Sequence, residues 1–398
     1  MLLAGIHIRR VFTCSHNYGA RGGNKMKRIL FVMLVVILLG SWICPAAAQT
    51  SKKVMIRIVS DTSPPPQPIA ISMNWFRDKI QERIPGSEVR TYFAGALYAM
   101  SDAMSALQAG NLEIAVGQPS KVAGFDPWLN IATQPMVITS IGAIHHFPET
   151  EIAKAITERL SKKGILVMGW SDISHYMGIA AKKRILTPTD LKGLKLRVLA
   201  PLTQGPTLKA WGASAVAMSW GDVPSAIQSG VIDGAITSSN GFAVIREQTP
   251  YYTIIGVGGM ALDFYFLGFS KKWWDGVSPE HQKIVKDTLN EMILYQQKLQ
   301  WCSDNLIAGE FGAKDPKKPG FYNLKLEQVE VFKKALGTKV AEALIEKLGN
   351  ESKPFVYKFQ EEGNKLVAKY PVGSDPVESM DCAPYKKLVT YTEEKKKK

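Results

Sequence analysis

The phrase SALQAGNLEIAV at Ser105–Val116 returns 120 residues later as SAIQSGVIDGAI at Ser225–Ile236. Of the twelve paired positions, five are identical and five more are conservative. Each copy reads as a helix that stops at a glycine and is followed at once by an apolar strand. Glycine takes the left-handed conformation that ends a helix, which other residues resist. The repeat therefore predicts two like-built lobes, each closing on the same helix–strand step.

The flanking pattern agrees. VMIRIVS (Val54–Ser60) reads as a β-branched strand, broken by Pro64-Pro65-Pro66. Helical spacing over Ile69–Ile84, a strand at Glu88–Phe93, a helix capped by Ser101 and a strand at Leu112–Val116 complete the first lobe. This alternation is the signature of a parallel α/β sheet. It resumes with a helix at Glu151–Lys162, a strand at Ile165–Trp170 and a short helix capped by Thr187, with Pro188 at its first position. Strands at Leu194–Leu199, Ala215–Met218 and Ile232–Ile236 follow, with helices at Thr203–Trp211 and from Asp222 to Ser229. A long helix with Val285, Leu289, Met292, Leu299 and Leu306 on its apolar stripe runs from Ser278 to about Glu310. At 1.5 Å per residue it is roughly 45–50 Å long, enough to brace both lobes. Val329–Lys347 is helical again, and 351–398 reads as a charged tail ending in EEKKKK.

The predicted lobes are 49–173, with about 263–300 returning to it, and 174–262, with about 303–350 added. Ligands of open α/β sheets sit beyond the carboxyl ends of the strands. The segments after the repeated strands, Gly117-Gln118-Pro119-Ser120 and Thr237-Ser238-Ser239-Asn240, therefore line the predicted cleft.

At the start of the chain, Met26-Lys27-Arg28, the apolar run Ile29–Ile43 and Pro45–Ala48 form a signal peptide over 26–48, cleaved after Ala48. This implies export. Residues 1–25 resemble neither signal nor domain and read as a mis-called leader before a start at Met26. Removing six Lys/Arg with this segment leaves 43 basic against 35 acidic residues, a charge of +8. The excess is dispersed, with no basic stripe interleaved with aromatics, which argues against nucleic acid. A mild positive field favours small anions. Cys302 and Cys382 remain, placed either to pair and tie the tail to the body or to stand as free thiols.

No nucleophile elbow, zinc-protease helix or phosphate loop is present. His145-His146 suggests metal only weakly, and Cys302 sits mid-helix, where an inert buried thiol is ordinary. The chain reads as no enzyme. A secreted hydrolase and the binding protein of an ATP-driven importer are the alternative readings.

LKGLKLRV (Leu191–Val198), WGASAVAMSWGDVPSAIQSGVIDGAI (Trp211–Ile236), ALQAGNLEIAVG (Ala106–Gly117) and FSKKWWDGVSPEHQKIV (Phe269–Val285) together resemble the DctP-type solute-binding proteins of tripartite ATP-independent periplasmic (TRAP) transporters. The resemblance covers roughly Val54–Leu348. It implies a two-lobed α/β periplasmic-binding-protein fold of the Venus-flytrap type with a long bracing helix. It also implies a periplasmic receptor that closes on a small organic carboxylate and hands it to a membrane permease; a monomer without a cofactor is expected.

The resemblance places the carboxylate clamp at Arg197, whose planar fork suits bidentate pairing. Many members carry a second Arg where this chain has His175 and Tyr176, so a monocarboxylate is expected unless His175 is protonated. Ala235-Ile236-Thr237 stands where many read Gln-Glu-Asn, so no metal-bridged ligand is expected. Thr237, Asn240 and Gln118 supply polar contacts. Trp220, with Tyr98, Tyr176 and Phe242, points to an aromatic or bulky acid.

Overall fold

The computed structural model describes residues 54–260, 264–313, 315 and 317–390. The leader and signal-peptide readings over 1–48 lie outside these. In chain order the elements are β1 (Met55–Val59), α1 (Pro68–Arg83), β2 (Glu88–Tyr92), α2 (Met100–Ala109), β3 (Ile114–Gly117), α3 (Ile141–His146), α4 (Glu151–Lys162) and β4 (Ile165–Asp172). Then come β5 (Gly178–Ala181), β6 (Lys195–Val198), α5 (Pro201–Ala210), β7 (Ser214–Ala217), α6 (Val223–Gln228), β8 (Gly234–Thr237), α7 (Ser239–Ile245) and β9 (Tyr251–Ile254). The last are β10 (Phe264–Ser270), α8 (Pro279–Phe311), β11 (Gly320–Asn323), α9 (Leu326–Leu336), α10 (Lys339–Leu348) and α11 (Lys353–Lys369).

Two sheets form two lobes. One has the order β2-β1-β3-β10-β4 and the other β11-β9-β5-β8-β6-β7. Three strands of each sheet pair in parallel: β2-β1-β3 and β7-β6-β8. In each sheet the next strand is antiparallel, β10 against β3 and β5 against β8. The sheets are therefore mixed, where alternation alone predicts parallel ones. The cause is the path: the chain leaves the first sheet after β4, builds the second, and returns as β10. Among the described residues no helix is long and apolar enough to cross a membrane.

The repeated phrase is one structural step used twice. α2 ends at Gly110 (φ +79°), and α6 is followed by Gly230 (φ +75°). The Asn111 N–H donates to Ala106 O at 2.8 Å and the Val231 N–H to Ala226 O at 3.0 Å, the same helix-closing bond. The acid of each copy then holds the neighbouring strand. Glu113 accepts the Arg57 N–H at 2.8 Å, and Asp233 accepts the Lys195 N–H at 2.8 Å. Two positions break the pattern, Asn111 against Val231 and Ile114 against Gly234, and the second has a clear cause. A Cβ on Gly234 would stand 2.1 Å from the Ala180 carbonyl oxygen of β5. Gly234→Ala should therefore force β5 and β8 apart, at about 1–3 kcal/mol as for other overpacked sites. Urea unfolding checks this, and an unchanged midpoint contradicts it.

Capping differs in detail from the expectation. Ser101 lies inside the first turn of α2, behind the N-cap Ala99, and Asp222 makes no capping bond. Thr187 opens a single 3-10 turn, in which Asp190 accepts the Leu186 and Thr187 N–H groups at 2.9 and 2.8 Å.

α8 is 33 residues long, so about 50 Å. Its buried Val285, Leu289 and Met292 join the main core, while Gln296, Gln300, Ser303 and Asp304 form a buried polar stripe. Gln296 donates to the Asp172 carbonyl of the first lobe at 3.2 Å, and Gln300 to Asn240 of the second at 3.2 Å. The expected tail is folded through residue 390. α11 buries Val356, Phe359 and Leu366, and Cys302 is disulfide-bonded to Cys382. The sequence signal was there: Val356, Phe359, Gly363 and Leu366 repeat at helical spacing beneath a charged surface.

Candidate functional site

The carboxyl ends of β1, β3, β6 and β8 converge on a cleft between the sheets, of about 120 Å³. The first lobe contributes Asp61, Thr62, Ser63, Gln67, Gln118, Lys121 and Tyr265. The second contributes Arg197, Leu199, Trp220, Thr237, Ser238, Asn240, Gly241 and Val244, and the connection between lobes adds Ile173 and Met177. β6 brings Arg197 in as its third residue. The 3-10 turn after β7 brings Trp220, and the sharp β8–α7 turn brings Thr237–Gly241, with Ser238 Oγ accepting the Gly241 N–H at 3.1 Å.

Arg197 is 4% exposed. Its Nε donates to Met218 O at 3.2 Å and its Nη1 to Ile236 O at 3.3 Å, and the guanidinium lies 5.6 Å from the Trp220 ring centre. These contacts fix the fork without neutralising it: among the described residues no carboxylate pairs with it. Burial pulls its pKa down to about 10, with the nearby Asp61 charge opposing. A buried cation without a counter-ion is an incomplete arrangement that an anion completes.

The facing wall has the opposite character. Asp61 Oδ2 pairs with Lys121 Nζ, but Asp61 Oδ1 and Gln118 Oε1 are buried and accept no hydrogen bond. Buried acceptors are normally satisfied. Two orphans on one wall ask for a donor from a ligand.

Five of the residues expected from sequence line this cleft: Arg197, Trp220, Thr237, Asn240 and Gln118. Asn240 is committed to the brace, donating to Ser303 Oγ at 2.6 Å and accepting from Gln300 at 3.2 Å. The other three lie elsewhere. His175 is fully buried behind the cleft, with Nε2 3.1 Å from Asp172 Oδ2 and Nδ1 3.1 Å from Asp304 Oδ2. Burial alone would lower its pKa, but Asp172 and Asp304 raise it to about 9. The neighbouring His145 rises in the same way to about 10, through Asp172 and Asp375. Tyr176 packs on Trp301 and Phe321, and Tyr98 is half-buried against the first-lobe core. Phe242, also expected near the ligand, stacks on Tyr252 at 4.7 Å inside the second-lobe core. The wide aromatic pocket is thereby corrected: Trp220 and Tyr265 are the aromatics of the lining.

Asp61, Thr62, Ser63, Gln67 and Lys121 were missed by sequence reasoning. The strand-end rule that selected Gln118 and Thr237 applies equally to β1, which ends just before Ser60-Asp61. Lys121 lies one turn beyond Gln118.

A second depression, of about 250 Å³, lies on the first lobe between Trp128, Ile156 and Phe355. Its cations are already paired, Arg159 with Asp126 and Lys162 with Glu158, and it is remote from the strand ends. The interlobe cleft is the better candidate.

Known proteins share this architecture. The DctP family, described as bacterial extracellular solute-binding protein, family 7, matches residues 59–347. The chain belongs to that family. Its members are solute-binding proteins rather than enzymes. Among curated relatives, the 2,3-diketo-L-gulonate-binding periplasmic protein YiaO of Escherichia coli K12 is 23% identical over 238 residues, 58% of this chain and 70% of that protein. The C4-dicarboxylate-binding periplasmic protein DctP of Shewanella loihica is 22% identical over 271 residues, 68% of this chain and 79% of that one. A TRAP periplasmic solute-binding protein from Sulfitobacter sp. NAS-14.1, solved with bound β-D-galacturonate, superposes with a TM-score of 0.66 at 24% identity. It covers 77% of this chain and 99% of that chain. α11, Asp375 and Cys382 lie beyond the family match.

Proposed function

We propose that this DctP-family protein is a periplasmic receptor for a small hydroxylated monocarboxylate, which it delivers to a TRAP membrane permease. The carrying observation is the polarity of the cleft: one buried, unpaired guanidinium on one lobe faces two orphaned acceptors on the other. The ligand carboxylate takes the Arg197 fork, with Trp220 alongside. Hydroxyl groups at its far end donate to Asp61 Oδ1 and Gln118 Oε1. Contacts to both lobes favour the closed state, since a ligand shifts a conformational equilibrium by its differential affinity for the two forms. Trp220 and Tyr265 offer faces to the C–H groups of a sugar acid more readily than a chamber for a bulky aromatic acid. Two of the three relatives named above agree in kind, since 2,3-diketo-L-gulonate and β-D-galacturonate are both sugar acids, while the third is named for C4-dicarboxylates. Export by the signal peptide places the receptor, acting as a monomer, beside its permease.

The test is a thermal-shift screen of residues 49–398 with D-glucuronate, D-galacturonate, succinate, L-malate and phenylacetate. A ligand at 100 times its Kd adds about 2.7 kcal/mol, which moves the midpoint by several degrees. The sugar acids should give the shift. A shift with succinate alone would mean that Lys121 leaves Asp61 to take a second carboxylate. A shift with phenylacetate alone would restore the bulky aromatic acid.

A further inference from the structure

Behind the cleft, where the chain crosses from the first sheet to the second, lies a buried group that solute binding does not use. Asp172 is the last residue of β4, His175 lies in the connection to β5, and His145 comes from α3. Both imidazoles aim Nε2 at one oxygen, Asp172 Oδ2, at 3.0 Å from His145 and 3.1 Å from His175. One donor atom from each of the three residues lies within 4.8 Å of the others.

The outer side of the group is what distinguishes it from a chance cluster. His145 Nδ1 faces Asp375 Oδ2 at 2.8 Å, and His175 Nδ1 faces Asp304 Oδ2 at 3.1 Å. Asp304 is in turn fixed by Ser174 Oγ at 2.8 Å, by the His175 N–H at 2.8 Å and by Ser239 Oγ. The two imidazoles converge through one nitrogen each. His145 Nδ1 is hydrogen-bonded to Asp375 Oδ2, whereas His175 Nδ1 is a buried nitrogen without a hydrogen bond, 3.1 Å from Asp304 Oδ2. The His145 arrangement is that of a metal-binding histidine: the outer carboxylate fixes the tautomer and strengthens the inner nitrogen as a ligand. Neighbouring ligand atoms around a tetrahedral ion at about 2.0–2.1 Å are separated by roughly 3.3 Å, so the two histidine–Asp172 contacts need a small expansion, while the pair of imidazole nitrogens already lies within 4.8 Å. The charges agree as well. Three carboxylates surround two imidazoles that carry protons in the metal-free protein, and a divalent ion that displaces those two protons leaves the net charge unchanged, one from neutral.

We propose that His145, Asp172 and His175 bind one divalent transition-metal ion of the zinc class. Two imidazole nitrogens and a carboxylate oxygen are ligands suited to that ion, with water completing the shell. Bound there, the ion ties α3 and the end of β4 to the connection into the second lobe. It stiffens the crossing about which the lobes close. Asp375 lies outside the family match, so its backing of His145 is a property of this chain's own C-terminal segment.

The experiment uses untagged protein spanning residues 49–398, stripped with EDTA, dialysed, and titrated with Zn²⁺ by calorimetry. Co²⁺ is substituted in parallel for its visible spectrum. One equivalent of Zn²⁺ per chain is expected, with Co²⁺ giving the intense bands of a low-coordinate nitrogen–oxygen site. His145→Gln should abolish uptake, and Asp375→Asn should weaken it about 10- to 100-fold. His146→Gln, which alters the neighbouring exposed pair with Glu149, should leave it unchanged. Circular dichroism confirms that each variant is folded. Absence of Zn²⁺ and Co²⁺ uptake by the folded wild-type chain overturns the proposal. So does one equivalent that persists in folded His145→Gln. Neither result depends on the identity of the cleft ligand.

Discussion

Arg197→Ala should cost the receptor its ligand while leaving the fold in place. The guanidinium is the unpaired cation of the cleft, and its hydrogen bonds go to two backbone carbonyls, Met218 O and Ile236 O. Removing one partner of a buried charged pair costs about 2–5 kcal/mol in affinity, roughly 30-fold to several thousand-fold. Arg197→Lys keeps the charge but loses the planar fork, so it should recover only part of the affinity. Calorimetry with whichever acid gives the largest thermal shift measures both variants, and the melting of the ligand-free proteins controls for folding. An Arg197→Ala protein that binds that acid as tightly as the wild type would remove the clamp from the account.

The largest effect on stability is expected at Asp304. This carboxylate is fully buried on α8 and holds Ser174 Oγ, the His175 N–H and Ser239 Oγ, while facing the His175 ring. Asp304→Ala strands all of these groups in a fully buried site. Breaking a buried ionic partner in this way costs about 3–5 kcal/mol. Urea unfolding should show a large fall in midpoint. Asp304→Asn keeps the volume and one acceptor oxygen, so its fall should be smaller. Ser239 sits between Ser238 and Asn240 of the cleft lining, so the surviving Asp304→Ala protein should also bind its ligand more weakly. An unchanged midpoint in Asp304→Ala would mean that the stripe does not brace the lobes.

The two-lobed design was legible because its signal is local. Helix, left-handed glycine and strand follow one another within a dozen residues, and the same phrase at Ser105 and Ser225 exposes the duplication. The brace was legible for the same reason, as a long periodic stripe from Val285 onward. The mixed character of the sheets was not. That β10 inserts between β3 and β4 depends on a return across some ninety residues, which no window of sequence shows. The folded C-terminal segment was hidden by its composition: lysine and glutamate on the outer face of α11 outweigh a short apolar stripe.

In the cleft, Arg197 and Trp220 were found through a motif and Gln118 and Thr237 through a strand-end rule. Both work because strand ends fix where a side chain can go. The failures are residues whose direction depends on packing. Tyr176 and His175 stand in the connection between lobes, and whether each faces the cleft or the brace is decided by Asp304 and Trp301, more than a hundred residues away. Asp61 gives no sign of being a ligand group until Lys121 is seen to occupy only one of its oxygens.

A crystal structure of the mature chain with the acid that gives the largest thermal shift tests the central claim most directly. The account predicts closed lobes, the ligand carboxylate on the Arg197 fork beside Trp220, and ligand hydroxyls on Asp61 and Gln118. A ligand whose carboxylate rests on Lys121, with Arg197 still bonded only to Met218 and Ile236, would contradict it.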